Sequence, residues 1–102
     1  MNILVSLDPD TKQCTLKMTG RFTFDRYKAF STAHQNMSST TCASCLVDMT
    51  ELDYMDSAAL GMLLRLKEKT GISQITLRTK RNPVYEVLRV SKFDQLFVLD
   101  VV

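Results

Sequence analysis

The chain has 102 residues, 45% of them hydrophobic, which is the size of one ordinary domain with enough apolar side chains to fill a core. Its 13 basic and 11 acidic residues give a formal net charge of +2, too balanced to indicate direct binding of nucleic acid. The N-terminus has no basic segment before a long apolar run, and no stretch approaches the roughly 18 apolar residues of a membrane span. We therefore expect a cytoplasmic protein without membrane contact.

The first third of the chain predicts a hairpin followed by a helix. Residues 3–7 and 14–18 alternate in polarity, and the intervening DPDT is typical of a turn, so two antiparallel strands are expected. Asp25 is a candidate N-cap for a helix whose apolar residues recur at helical spacing through 27–37. A polar loop, residues 38–44, follows.

The middle of the chain combines a short apolar run with a helical pattern. The sequence CLVDM, residues 45–49, indicates a buried central strand that ends near Asp48. Residues 57–70 carry leucines and alanines at helical spacing, and Gly71 is placed to end that helix.

The last third repeats the alternation of strand and helix. Residues 72–79 alternate as a strand, and Asn82 with Pro83 predicts the start of another helix. The final QLFVLDVV is either a short edge strand or a packed tail. A hairpin followed by alternating helices and strands predicts an α/β layered domain.

Cysteines 42 and 45 have the spacing of a redox or zinc pair. They lie in a polar loop before a strand, whereas a redox pair normally lies at a helix N-terminus. Four zinc ligands would require Cys14 and His34, from a core strand and a helix. We therefore expect reduced, partly buried thiols, an exposed His34, and neither a metal site nor a cofactor.

A phosphoaspartate receiver is a second enzymatic alternative, because Asp8, Asp10, Asp48 and Lys80 match the residue types of such a site. In a receiver, however, a helix follows the first strand, whereas here Asp8 and Asp10 lie in a hairpin turn that leads into another strand. The hairpin would hold their carboxylates away from Asp48. The connectivity therefore argues against this alternative.

Basic residues recur in the second half of the chain, in RTKR, residues 78–81, and at positions 65–69. No interleaved aromatic residues or nucleic-acid motif accompany them. We expect a solvated face that could help to attract an acidic protein partner.

The sequence ELDYMDSAALGMLLRLKEKTG, residues 51–71, marks a junction from strand to helix. On spacing alone, Ser57 or Asp56 is an N-cap, and 58–66 is a helix face packed on the sheet. The functional alternative is that Ser57 is exposed at the helix N-terminus, where a kinase could reach it.

The stretch LVDMTELDYMDSAALGMLLRLKEKTG resembles the core motif of STAS domains, the family of bacterial anti-sigma factor antagonists. The likeness extends to TGRFTFDRYKAF and to ITLRTKRNPVYEVLRVSKFDQLF, and so covers nearly the whole chain. It implies a single STAS domain over 1–102, with an N-terminal antiparallel hairpin in a mixed sheet of four or five strands. Three to four helices would pack against that sheet, and no enzymatic activity is implied.

In such domains, a partner kinase phosphorylates the serine that follows the motif aspartate, which is Ser57 here. The unphosphorylated form binds an anti-sigma factor, and a PP2C-type phosphatase restores it. The sequence looks most like stand-alone antagonists whose partner is a response regulator with kinase or phosphatase domains. Control of a non-sigma partner, or sensing of a small molecule or nucleotide, is the alternative.

One departure from the family pattern lies directly after Ser57. The family commonly has a second hydroxyl residue and then glycine, where this chain has Ala58 and Ala59. The predicted switch therefore depends on Ser57 alone. The expected contact surface comprises Asp53, Tyr54, Met55, Asp56, Ser57, Ala58, Ala59 and Gly61. Residues 20–25 and the loop at Asn82 are expected to lie beside this surface and to contribute less to the contact.

Overall fold

A five-stranded mixed sheet organises the computed structural model, which describes residues 2–102. Its strands, in spatial as well as chain order, are β1 (Asn2–Leu7), β2 (Gln13–Phe22), β3 (Ser44–Met55), β4 (Ile75–Thr79) and β5 (Val98–Val101). β1 is antiparallel to β2, and the other neighbours are parallel. The helices are α1 (Tyr27–His34), α2 (Ser57–Thr70) and α3 (Pro83–Val90), with 3-10 turns at Phe24–Arg26 and Phe93–Gln95. The predicted α/β class and hairpin are confirmed, and of the two alternatives for the last segment the structure shows the edge strand.

The hairpin turn holds its aspartates at one end of the sheet. The Lys12 N–H donates to the Asp8 carbonyl at 2.8 Å, and the Asp10 N–H donates to the Asp8 carboxylate at 2.9 Å. The backbone N–H groups of Asp10 and Thr11 lower the pKa of the Asp8 carboxyl. The carboxylate therefore serves the turn, and the connectivity that argued against a receiver is confirmed.

The central strand β3 continues for seven residues beyond Asp48, so the predicted end near that residue is wrong. Its parallel pairing with β2 runs on to Phe22 and Met55 through two register shifts, one of them beside Gly20. Gly20 has φ of +91°, a conformation that glycine adopts without strain. The extension carries the chain directly to the N-terminus of α2.

The core lies between the sheet and the helices. α2 buries Ala59, Met62, Leu63 and Leu66, the spacing of one helix face. As predicted, Gly71 ends this helix in the left-handed conformation, with φ of +68°. Within residues 2–102, every helix is too short or too polar to span a bilayer.

The predicted N-cap is confirmed for α3 and is wrong for α1. Asn82 caps α3 as expected, accepting a hydrogen bond from the Tyr85 N–H at 3.2 Å. Asp25 does not cap α1, because it lies inside a 3-10 turn, where its carboxylate accepts from the Thr23 hydroxyl. His34 was expected to be exposed but is buried, because the ring packs edge-on against Phe30.

The face of the sheet away from the core carries a row of alternating charges. Lys17, Asp48, Arg78 and Asp100 are register partners across β2 to β5, and Arg78 pairs with Asp100 at 2.8 Å. Burial alone would raise the pKa of Asp48. Hydrogen bonds from Thr50, together with Lys17 and Arg78, outweigh this effect and lower it. Opposite charges thus alternate across the strands, an arrangement that stabilises one register.

The structure corrects the cysteine prediction for two of the three residues. Cys14, at the start of β2, forms a disulfide with Cys42, and their Cα atoms are 5.7 Å apart. The reason is strand register, which brings the loop before β3 beside the first residues of β2. Cys45 is free as expected, and burial raises the pKa of its thiol to about 12. Cys42 is bonded to Cys14 and not to Cys45, so the two cysteines with the redox or zinc spacing are not joined to each other.

We expect Asp48→Asn to lower the free energy of unfolding by about 1 kcal/mol near neutral pH, because it removes a charge from the row. Since folding lowers the pKa of Asp48, the carboxylate stabilises the fold fully above its unfolded pKa of about 3.9. This stabilisation is lost as the pH falls through the lower, folded pKa. Urea denaturation at a series of pH values measures the difference, with Asp10→Asn in the exposed turn as control. A deficit that does not depend on pH would contradict the role of the charge.

Candidate functional site

The junction between β3 and α2 is held by one carboxylate. Asp56 is the N-cap of α2, and its Oδ1 accepts from the Ala59 N–H at 3.0 Å. Its Oδ2 accepts from the Phe24 N–H, also at 3.0 Å. The Asp56 N–H in turn donates to the Phe22 carbonyl at 3.2 Å. The residue thus fixes the helix start against the end of β2, and brings the predicted 20–25 segment next to the junction.

Ser57 is the first residue of α2 and is exposed. Sequence spacing left the cap open between Asp56 and Ser57, and the structure assigns it to Asp56. Within residues 2–102, the Ser57 hydroxyl has no hydrogen-bond partner. A group attached to this oxygen therefore displaces no contact of the fold.

The other predicted contact residues divide between surface and core. Asp53, Tyr54 and Gly61 are exposed, and Ala58 is half-buried. Met55 and Ala59, by contrast, are only 4% and 0% exposed in the free protein, and their place in the contact surface stays a prediction. β3 directs the Met55 side chain inward, and Ala59 lies on the helix face that packs on the sheet.

One exposed face of α2 extends the surface along the helix. Ser57, Gly61 and Leu64 follow each other at helical spacing, and Leu64 is 39% exposed. A Cβ added at Gly61 would meet nothing within 4 Å. The fold therefore gives no steric reason for glycine there. Leu64 was not predicted, although its place on the same helix face is readable from the sequence.

A groove of about 610 Å³ lies beside Ser57, between α2 and α3. Its apolar lining comprises Tyr54, Met55, Leu60, Val87 and Val90. A face of α3 thus lies beside the junction as well, and the contribution of the loop at Asn82 stays a prediction. Val90 is the residue of the sequence that indicates an exposed apolar face on α3, because it lies outside the buried stripe formed by Val84 and Leu88.

Carboxylates surround Ser57. Asp53 and Asp56 precede it in the chain, and Glu86 lies in the groove, where its hydrogen bond from Arg89, at 2.8 Å, lowers its pKa. A cation lies on the other side of the junction, since the Arg21 guanidinium is 4.4 Å from the centroid of the Tyr54 ring. The surface combines an apolar groove with a predominantly acidic border, which suits a protein partner better than a phosphate-bearing ligand.

Comparison with known proteins gives consistent matches. The family model described as Mlab, STAS domain, matches residues 5–100. A STAS-domain containing protein of Pseudomonas aeruginosa is 36% identical over 90 residues, which are 86% of this chain and 88% of that protein.

Solved structures share the fold at low sequence identity. An anti-sigma factor antagonist from Mycobacterium paratuberculosis matches with a TM-score of 0.85 at 15% identity, over 97% of this chain and 84% of that one. The Bacillus cell fate determinant SpoIIAA, in its phosphorylated form, matches with a TM-score of 0.59 at 14% identity. That alignment covers 96% of this chain and 90% of SpoIIAA. At these identities the structures establish a common fold.

We expect Asp56→Ala to destabilise the protein by about 1–2 kcal/mol, the effect of losing an N-cap, and to loosen the turn at Phe24. Ser57→Ala, one residue away, should change the free energy of unfolding by less than about 0.5 kcal/mol, since the Ser57 hydroxyl has no hydrogen-bond partner in the described part of the chain. Urea denaturation of both variants measures the two effects. Equal losses of stability would show that the cap is shared.

Proposed function

The chain belongs to the STAS domain family, and from that premise we propose that it is a protein-binding switch, an anti-sigma factor antagonist controlled by phosphorylation of Ser57. In this proposal, the unphosphorylated form binds its partner and the phosphorylated form does not. The carrying observation is the exposed Ser57 hydroxyl, free of any role in the fold and beside an apolar groove. The proposed function is not enzymatic.

The surface around Ser57 supports binding of a protein. Tyr54 and Val90 are 43% and 70% exposed at the groove, and Leu64 continues the apolar surface along α2. Exposed apolar groups that lie together favour a partner that covers them. Ser57 lies at the border of this surface, where a bound partner would exclude water from its hydroxyl.

A phosphate on Ser57 would affect binding more than folding. It adds a charge of about −1.5 to −2. At the first residue of α2, the helix dipole favours an anion by about 0.3–1 kcal/mol, which partly offsets repulsion from Asp53 and Asp56. In a dehydrated interface without a cation opposite, the same group costs several kcal/mol, and about 2.7 kcal/mol already weakens binding ~100-fold.

The resemblance supplies the classes of partner in this proposal. They are an anti-sigma factor or serine kinase that binds at Ser57, a PP2C-type phosphatase that restores the free hydroxyl, and a response regulator that carries such domains. In this proposal the switch acts in the cytoplasm, where a kinase has access to ATP.

The alternative is that the same surface controls a partner outside sigma-factor regulation. Identification of the bound protein distinguishes the two functions. Sensing of a nucleotide is disfavoured at this groove, because the lining carboxylates of Asp56 and Glu86 would repel its phosphates.

We expect Ser57→Ala to bind the partner constitutively and Ser57→Asp to bind it at least about tenfold more weakly, because the added carboxylate is dehydrated in the interface. Immobilised Ser57→Ala would capture the partner for identification by mass spectrometry. Titration calorimetry with the purified partner would then compare the two variants. Ser73→Asp, which adds the same charge in an exposed loop, is the matched control.

Two outcomes would contradict the switch. One is equal affinity of the Ser57→Ala and Ser57→Asp forms for the same partner. The other is phosphorylation of the protein by the captured kinase and ATP only within a peptide that does not contain Ser57.

We expect Gly61→Ala to separate stability from binding. Alanine in a helix interior is more favourable than glycine by roughly 0.5–1 kcal/mol, and the added Cβ meets nothing within 4 Å, so the free protein should become more stable. A partner that packs closely on this helix face would meet the new methyl group and bind more weakly. Thermal denaturation and calorimetry measure the two effects, and unchanged affinity would place Gly61 outside the contact.

A further inference from the structure

A second cleft lies between α1 and α2, away from Ser57, and is lined largely by polar side chains. Its volume is about 270 Å³, roughly nine times the ~30 Å³ that a water molecule occupies in the liquid. Arg65 lies roughly 12 Å beyond Ser57 along the helix axis, so the cleft belongs to the other half of α2. The lining residues are Ser31, His34, Gln35, Met37, Arg65 and Lys69.

Two cations on α2 face this cleft. Arg65 and Lys69 lie one helical turn apart, an arrangement of like charges that is unfavourable in an isolated helix. Among residues 2–102, neither makes an ion pair with a carboxylate within 4 Å. The Arg65 guanidinium is 5.9 Å from the centroid of the Tyr27 ring, a contact that orients it beside α1. Among the described residues, the two cations of the cleft therefore have no ion-pair partner within 4 Å, although Glu68 lies between them in the sequence of α2.

The α1 side of the cleft supplies neutral hydrogen-bonding groups. Ser31, His34 and Gln35 lie on one face of the helix end, and each can donate a hydrogen bond. His34 is only 4% exposed, and its Nδ1 is buried without a hydrogen-bond partner. An unsatisfied buried polar atom is costly, so a ligand that pairs with it would be favoured.

We propose that this cleft binds a phosphate group, either free inorganic phosphate or the phosphate of a small molecule. Every polar side chain that lines it can donate a hydrogen bond, and none is a carboxylate. Arginine, lysine and hydroxyl donors are the groups that bind phosphate oxygens. The volume admits a phosphate with a short organic substituent and is below that of most pockets for larger ligands. This site does not rest on the proposed role of Ser57.

His34 provides a direct probe of binding, because it is the only histidine of the chain. Burial, with Arg65 nearby, lowers its pKa, so the imidazole is neutral near pH 7. A bound phosphate would favour the imidazolium form and raise that pKa. The imidazole resonances of the full-length protein can be followed by NMR during titration with inorganic phosphate and, separately, with glycerol 3-phosphate. Sodium chloride holds the ionic strength constant.

We expect saturable shifts of the His34 resonances and a raised pKa at saturation. Tighter binding of glycerol 3-phosphate would identify the phosphate of a small molecule as the ligand, and tighter binding of inorganic phosphate would identify the free ion. The Arg65→Gln, Lys69→Gln double variant should bind at least about tenfold more weakly, through loss of charge-assisted hydrogen bonds.

The Lys80→Gln, Arg81→Gln double variant removes the same charge from an exposed loop and should bind like the unaltered protein. Circular dichroism confirms that both double variants are folded. Shifts that do not saturate, or equal weakening by the two double variants, would overturn the proposal, because either result shows only general attraction of anions.

Discussion

The hydrogen bonds of the Asp56 carboxylate determine where the candidate site lies. One oxygen caps α2 and the other binds the Phe24 N–H, so a single side chain fixes the helix start relative to the end of β2. Both bonds have a charged acceptor, which makes them stronger than bonds between neutral groups. Because Asp56 satisfies the helix N-terminus, the neighbouring Ser57 is left exposed. The structural role of Asp56 and the proposed signalling role of Ser57 thus fall on adjacent residues.

This separation matters for how a small modification can act. The free energy that a phosphate adds to the folded monomer is small, since the N-terminus of α2 favours an anion while Asp53 opposes it. The free energy that it adds to a complex is larger, since a partner removes water from the same group. A serine that also capped the helix would couple the two effects. The assignment of the cap to Asp56 avoids that coupling.

Local patterns predicted the elements whose signals lie within a few residues. Alternation gave the hairpin, helical spacing with Gly71 gave α2, and cap chemistry at Asn82 gave α3. The full length of β3 was missed, because its second half contains acidic residues that are typical of a loop. The cap of α1 failed for a local reason, since Asp25 bonds to Thr23 within the preceding turn.

Features that join distant segments could not be predicted in the same way. Cys14 and Cys42 are separated by 28 positions, and only the register of β2 on β3 brings them together. For the candidate site, too, local features were predictable and features that join distant segments were not. The motif located Ser57, but the groove beside it depends on how α3 packs near α2, and the burial of Met55 depends on which face of β3 meets the core.

The row of charges on the open face of the sheet gives the domain two unequal sides. Covering that face would require removal of water from Lys17, Asp48, Arg78 and Asp100, and only a partner with matching charges in the same order could compensate. A second sheet or an apolar helix is therefore disfavoured there. Because the two positive and two negative charges of the row sum to zero, they keep this face hydrated without creating a long-range field that would draw a charged partner to it.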